Sequence, residues 1–385
     1  MASAPAANLN FHVRYRLGIG RRADAPREAR SIGITRPLIV SDPGVAAQPW
    51  FAALADSLPG ATVFTDVRSN PVPANVDGGL AAYRAGGCDG IVLVGGGSVM
   101  DAGKAVALRA GHDAPLFDYE FLVGTRWKEI RRDRLPPMLA IPTTAGSGSE
   151  LSPGLVITDP GAGVKRTLLS PFLVPTAVLA DPEVTFGVPP RVTAATGMDA
   201  FTHCFEAWCA PGYNPIADGI ALEGLRLVAE NLPAAVRRPD DAAARSHMMM
   251  AASQAAVAFQ KGLGLVHAMA HPLGAVTDIH HGLANAILLP YVVGFNRAAI
   301  GERMERLVRY LGLGAGGDPV DAVIAWIVAL RNDIGIPHRL DVAPGLAAEL
   351  APRAAAEKAY VGSNPRPASE AEIRGVYERA IEGAL

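Results

Sequence analysis

Cysteine is scarce in this 385-residue sequence: Cys88, Cys204 and Cys209 are the only three, and no two form a CxxC pair. That excludes a disulfide framework and suits a reduced compartment, with the cytoplasm as the expectation. An excess of one charge is missing too, since 35 Lys and Arg face 37 Asp and Glu for a net charge of -2. A nucleic-acid groove or an anionic-membrane surface is therefore not expected. The N-terminal MASAPAANLNFHVRYR has no apolar h-region, and no run approaches the roughly 18 apolar residues that suggest a membrane span. The chain reads as soluble and unexported. What it has in plenty is hydrophobic residues, 50% of the total, and a length that suits about two domains.

In the first half, short β-branched runs alternate with Ala-rich stretches. PLIVSD (37–42), ATVFTDV (61–67), GIVLVGGGS (90–98) and PMLAIPTT (137–144) read as strands buried on both faces, as in a parallel sheet. VDGGLAAYRAGG (76–87) supplies a helix between them, and the βαβα pattern predicts a doubly wound sheet. Beyond TFGVPPRV (185–192) the texture turns to long Ala/Leu/Met-rich stretches, including PIADGIALEGLRLVAENL (215–232), MERLVRYLGL (304–313) and PVDAVIAWIVALRNDIG (319–335). Helices dominate there. Paired Pro189 and Pro190 mark the expected domain boundary, since they continue neither kind of element.

No Walker A motif and no full GxGxxG is present, because Met100 stands at the last glycine position of GGGSVM. Even so, Gly95, Gly96, Gly97 and Ser98 follow a strand and precede a helix carrying Asp101 and Lys104. A phosphate can approach such a backbone and meet the first N–H groups of the helix. The same loop serves equally as a tight βα turn without a ligand. Asp42, at the end of PLIVSD, stands where a ribose-hydroxyl acceptor would, or where an acid would cap a turn. PTTAGSGSE (142–150) is a second loop of this kind, with Thr143, Thr144, Ser147 and Ser149 as hydroxyl donors.

Nine histidines are spread over the chain, yet four of them, His267, His271, His280 and His281, fall in HAMAHPLGAVTDIHHG (267–282). His267 and His271 are spaced i, i+4, as are Asp199 and His203 in GMDAFTHCFEAW, so each pair shares a helix face. A carboxylate with several imidazoles suits a divalent transition metal. Asp199, His203, His267 and one further histidine suffice for a site with room for substrate. Spacing does not choose between His271 and the HHG pair, although Pro272 should push His271 away from helical geometry.

Taken together, GGGSVMDAGKA, IPTTAGSGSE, ATGMDAFTHCFEA, HAMAHPLGA and HGLANAILLP, in this order and at these spacings, resemble the iron-containing (group III) alcohol dehydrogenase family over nearly the whole chain. The resemblance implies an α/β N-terminal Rossmann-like domain that binds NAD(H), residues 1–188, and an all-α C-terminal domain, residues 189–385, that is metal-binding and catalytic. This is the architecture shared with dehydroquinate synthase-like proteins, with the active site in the cleft between the domains. It further implies that Asp199, His203, His267 and His281 are the metal ligands and that His271 is a non-ligand proton relay. Asn70, Gly96, Gly97, Ser98, Asp101, the Thr143–Thr144 loop with Ser147, and Lys165 match cofactor-contacting positions. Asp42 matches the position that disfavours a 2'-phosphate, which implies NAD(H). His280 departs from the family, which usually has proline there, and it receives no role.

The expected reaction is reversible hydride transfer between NAD(H) and a small primary alcohol or aldehyde, in a homodimer or larger homo-oligomer. One divalent metal is expected; three imidazoles and a carboxylate accept iron or zinc, with Fe2+ ranked ahead of Zn2+. Two alternatives share the arrangement: a dehydroquinate-synthase-like lyase that recycles its NAD within one turnover, and a glycerol-dehydrogenase-like zinc polyol oxidoreductase. The Ala- and Met-rich HAMAHPLGA favours a small, weakly charged substrate over a phosphorylated, polyhydroxylated one.

Overall fold

Six strands form a parallel sheet in the computed structural model, which describes residues 13–314 and 316–385. They are β1 (Arg14–Leu17), β2 (Pro37–Val40), β3 (Thr62–Phe64), β4 (Gly90–Gly95), β5 (Met138–Pro142) and β8 (Ala177–Ala180), while β6 (Gly154–Asp159) and β7 (Val164–Leu169) make a separate antiparallel hairpin. The sheet order is β1-β8-β5-β4-β2-β3. Helices α1 (Ala25–Ser31), α2 (Pro43–Ala46), α3 (Pro49–Asp56), α4 (Pro73–Ala85) and α5 (Gly97–Gly111) link or flank these strands. Alternate residues of the central strands serve opposite faces: Leu38, Val40, Ile91 and Leu93 lie in one core with α4 and α5, whereas Ile39, Val92 and Val94 lie in the other with α1 and α3. Both faces are covered, which is why these runs are continuously apolar.

Three features depart from the sequence reading. The run at 61–67 yields only a short edge strand with Val63 exposed, not one buried on both faces. β1 goes unseen because its RYRL turns two arginines outward to pair with Glu28. The β6–β7 hairpin, closed through Pro160-Gly161-Ala162-Gly163, also interrupts the βα alternation.

Along the chain two units separate: residues 13–188 with Asp240–Met249, and Pro189–Pro239 with Met250–Leu385. The excursion at 240–249 has no signature in the hydrophobic pattern. The remaining helices are α6 (Pro190–Cys209), α7 (Pro215–Arg237), α8 (Ala242–Ala258), α9 (Leu265–Thr277), α10 (His281–Leu311), α11 (Pro319–Asp333), α12 (Leu346–Ala356), α13 (Lys358–Val361) and α14 (Glu370–Glu382). Pro190 opens α6 at its first position, where its missing N–H costs nothing.

One helix, α10, is long and apolar enough to cross a membrane by length and composition, although polar residues interrupt its apolar runs; 72% of its most apolar window is buried inside the protein. Its apolarity is that of a core helix. Pro290 within α10 deprives the Ala286 carbonyl of its helical donor. The fully buried Arg331 of α11 supplies a replacement, its Nη1 donating to the carbonyls of Ala286 at 3.4 Å and Ile287 at 3.1 Å.

Leu93 of β4 is wholly buried under α5, where Gly103 leaves room for its side chain. Leu93→Ala should cost about 2–5 kcal/mol of stability. The cost is read as a lower urea midpoint at unchanged slope; an unmoved midpoint would refute close packing at this contact.

Candidate metal centre and nucleotide loops

Helix α6 carries Asp199 and His203 one turn apart on a buried face, and α9 brings His267 against them. One donor atom from each of Asp199, His203 and His267 lies within 4.8 Å of the others. The His203 and His267 rings stack with centroids 4.5 Å apart. His281, the first residue of α10, places Nε2 3.6 Å from Asp199 Oδ1 and its ring 5.3 Å from that of His267. Asn285, one turn further along α10 and fully buried, donates Nδ2 to Asp199 Oδ1 at 2.8 Å and lies 3.2 Å from His267 Nε2 and 3.1 Å from His281 Nε2. A carboxylate oxygen and two imidazole nitrogens thus surround one amide nitrogen.

The donor set fits a divalent cation. Burial pushes the His203 imidazole down to about 4, so it is neutral and keeps a lone pair, and its buried Nδ1 has no hydrogen-bond partner among the described residues. His267 donates Nδ1–H to Glu206 Oε2 at 2.5 Å, which leaves Nε2 turned toward the cluster. An oxygen and imidazole nitrogens are ligands that zinc or iron accepts at about 2.0–2.2 Å.

Two close approaches make this geometry possible. A Cβ at Gly282 would stand 2.2 Å from the Ala195 carbonyl oxygen, so the first turn of α10 meets α6 only because position 282 has no side chain. Between α9 and α10 the chain turns in three residues, with Asp278 in the left-handed region (φ 56°) and its N–H donating to the Gly274 carbonyl. Aspartate is among the few side chains that tolerate this conformation.

His271 stays helical, contrary to the expectation from Pro272. The helix runs unbroken to Thr277 because every residue from Leu265 to Gly274 is buried, and this packing outweighs the local preference of a residue before proline. His271 lies beside the cluster, 5.4 Å from the His281 ring and 4.9 Å edge-on to Tyr360, with Glu357 Oε1 3.8 Å from its Nδ1. His280 is the exposed residue before α10. Glu206 and Asn285 are members of the cluster that the motif reading passed over; the i, i+4 spacing of Asn285 from His281 was the available signal.

In the sheet unit, register builds the second locus. Gly95 of β4 pairs with Pro142 of β5, so the GGGS and TTAGS loops leave the same edge side by side. Thr144 Oγ1 lies 3.0 Å from where a Gly96 Cβ would stand, and Ser147 Oγ 2.7 Å from that of Gly97. Ser98 follows at the start of α5, and Thr143 donates its N–H to the Gly95 carbonyl. Asp42, two residues beyond the neighbouring β2, caps α2 by accepting the Val45 N–H, so the turn-capping role is realised. β2 and β4 flank the point where the strand order reverses, the usual place for a nucleotide. Lys165 Nζ donates to Asn70 Oδ1 at 2.9 Å, and Asn70 itself is left-handed at φ 52°.

Asp101 braces the second loop: it accepts from Ser149 Oγ at 2.8 Å and from the Val156 N–H at 3.1 Å. Lys104, one turn on and fully buried, donates to Ser149 Oγ and to the Ser152 and Gly154 carbonyls. Burial lowers the Lys104 ammonium to about 8 and raises Asp101.

Two family models account for nearly all of this chain: iron-containing alcohol dehydrogenase over residues 13–182, and the C-terminal part of the Fe-containing alcohol dehydrogenase family over residues 193–381. The chain belongs to the iron-containing alcohol dehydrogenase family. Members of this family carry a Rossmann-like sheet domain followed by an all-helical one, as found here. The chain is 39% identical to the 4-hydroxybutyrate dehydrogenase of Cupriavidus necator, covering 97% of this chain and 100% of that one. A 1,3-propanediol oxidoreductase structure superposes with a TM-score of 0.90 at 34% identity, over 97% of this chain and 100% of its own. The sulfoacetaldehyde reductase of Bifidobacterium kashiwanohense, solved in complex with NAD+, does so with a TM-score of 0.88 at 29% identity, over 98% and 99%. The chain is accordingly an oxidoreductase of the alcohol dehydrogenase and aldehyde reductase type.

Gly282→Ala forces α10 away from the α6 backbone and should cost about 1–3 kcal/mol. Urea unfolding measures it; a midpoint equal to that of the unaltered protein would show that the first turn of α10 is not held by this contact.

Proposed function

We propose that the chain is an NAD(H)-linked, metal-dependent dehydrogenase that interconverts a small primary alcohol and its aldehyde, with the helical unit holding the metal and the sheet unit the dinucleotide. The buried convergence of Asp199, His203 and His267 carries this reading, with His281 as the fourth ligand. Fe2+ is the metal that the family description favours, over a Zn2+ that the same donors accept. When bound, the metal supplies Lewis acidity toward a substrate oxygen and the nicotinamide supplies a hydride acceptor.

The remaining chemistry belongs to the chain. The backbone of Gly96, Gly97 and Ser98 receives a pyrophosphate at the N-terminus of the 15-residue α5, and Thr143, Thr144 and Ser147 line the same loop pair. Asn70 and Lys165 contact the cofactor as a hydrogen-bonded pair. Asp101 acts there through the loop it braces, and Asp42 favours NAD(H) by opposing a 2'-phosphate. His271 takes the alcohol proton, since an imidazole exchanges protons near neutral pH, and Glu357 beside it is partly open to solvent. Tyr360 and Phe259 line the imidazole cluster with apolar surface suited to a small substrate. The free, buried cysteines suit a reducing cytoplasm, and the family resemblance carries a homodimer or larger assembly.

Metal analysis of anaerobically purified protein, followed by an NADH-absorbance screen of alcohols and aldehydes, tests the reading; protein that neither retains a metal nor turns over NAD(H) with any alcohol or aldehyde would sink it. His267→Ala should lose metal and activity together, whereas His271→Ala should keep the metal and lose most turnover. Loss of metal from His271→Ala would exchange the two roles. Asp42→Gly should raise kcat/KM for NADP(H) relative to NAD(H), because glycine at an N-cap costs only a few tenths of a kcal/mol and leaves α2 in place. An unchanged cofactor ratio would remove Asp42 from the nucleotide site.

A further inference from the structure

Glu206 is buried behind the imidazole cluster, and both of its carboxylate oxygens are engaged with α9. Oε2 accepts Nδ1–H of His267 at 2.5 Å. Oε1 accepts the backbone N–H of Val266 at 2.7 Å, one of the orphan donors in the first turn of the same helix. Asn364 Oδ1 accepts the neighbouring N–H of Leu265 at 3.2 Å. The chain enters α9 through Gly264, where a Cβ would stand 2.9 Å from Asn364 Oδ1 and 3.0 Å from Glu206 Oε1. The residue preceding α9 is thus small because two acceptors crowd around the helix start.

We propose that Glu206 is the positioning residue of the metal centre: by accepting Nδ1–H it fixes the tautomer of His267 with the lone pair on Nε2, and by capping α9 with its other oxygen it fixes where that lone pair points. An imidazole carries one proton in its neutral form, so whichever nitrogen is donating, the other is the ligand. Without an acceptor at Nδ1 the ring could carry its proton on Nε2, facing the cluster, where it excludes a cation. Coupling the ring to the helix start removes a second freedom, because the acceptor that sets the tautomer cannot shift without uncapping Val266. This inference rests on the reading of Asp199, His203, His267 and His281 as metal ligands.

Glu206→Gln separates the two jobs. Its amide oxygen can still cap Val266, while its NH2 presents a donor to Nδ1 and so drives the His267 proton to Nε2. In competition with a chromogenic chelator, Glu206→Gln should bind Zn2+ about 10- to 100-fold more weakly than the unaltered protein, as loss of an outer carboxylate partner does in metal sites generally. Its metal-free melting temperature should stay within a few degrees. Histidine 15N spectra of the metal-free proteins should show His267 protonated at Nδ1 before the substitution and at Nε2 after it. Zn2+ affinity in Glu206→Gln within about twofold of the unaltered protein, with His267→Ala still losing Zn2+, overturns the proposal and leaves the metal centre standing. Unchanged Zn2+ affinity in His267→Ala overturns both. If Glu206→Gln does not fold, the spectrum of the unaltered metal-free protein decides alone, and an Nε2–H tautomer at His267 overturns the proposal.

Discussion

The helical unit depends on one close approach, that of the α10 start to the α6 backbone at Gly282 and Ala195. Asp199 sits on α6 one turn beyond Ala195, and His281 immediately precedes Gly282, so the distance between the two helix axes sets the distance between a carboxylate and an imidazole. A side chain at 282 would widen that gap at the one place where the donor atoms must converge. Asn285, on the next turn of α10, is carried in by the same contact and lays its amide among the donors. Local chain chemistry, interhelical packing and the candidate site are therefore one constraint seen at three scales.

In the sheet unit the corresponding constraint is register. Pairing Gly95 with Pro142 delivers two glycine- and hydroxyl-bearing loops to one edge, and the absence of a Cβ at 96 and 97 lets Thr144 and Ser147 close over them. Asp101 and Lys104 then hold the second loop from beneath, through a network in which every acceptor is internal. A loop pinned by buried polar groups loses little further entropy when it meets a ligand, which is the physical advantage of preorganisation.

Much of this was legible in the sequence because it follows from period and spacing. Central strands buried on both faces announce themselves as continuous apolar runs, and β2, β4 and β5 were read that way. Edge strands do so less well: β1 is half arginine and went unread, while β3, read as a strand buried on both faces, is three residues long with Val63 exposed. The i, i+4 pairs Asp199–His203 and His267–His271 were visible, whereas their meeting depends on packing that no local pattern encodes. Glu206 escaped notice since its partner lies sixty-one positions away, and a lone glutamate in an apolar helix carries no signature of direction. The pre-proline rule misled at His271 because it describes a residue's own backbone preference, and the helix there is held by its surroundings. Asp101 stood out by its position after the glycine loop, whereas its bracing of the second loop, through Ser149 and Val156, is set by contacts some fifty positions away.

The three-residue turn from α9 to α10, with Asp278 held left-handed, bears on how this chain can change. Surface loops elsewhere in a protein commonly absorb insertions and deletions, since nothing inside depends on their length. Here the turn is the tether that carries the His281 end of α10 back to the His267 face of α9, and an added residue would slacken that tether at the point where the donor atoms converge. The length of this turn is thus as much a part of the donor set as the two histidines it joins.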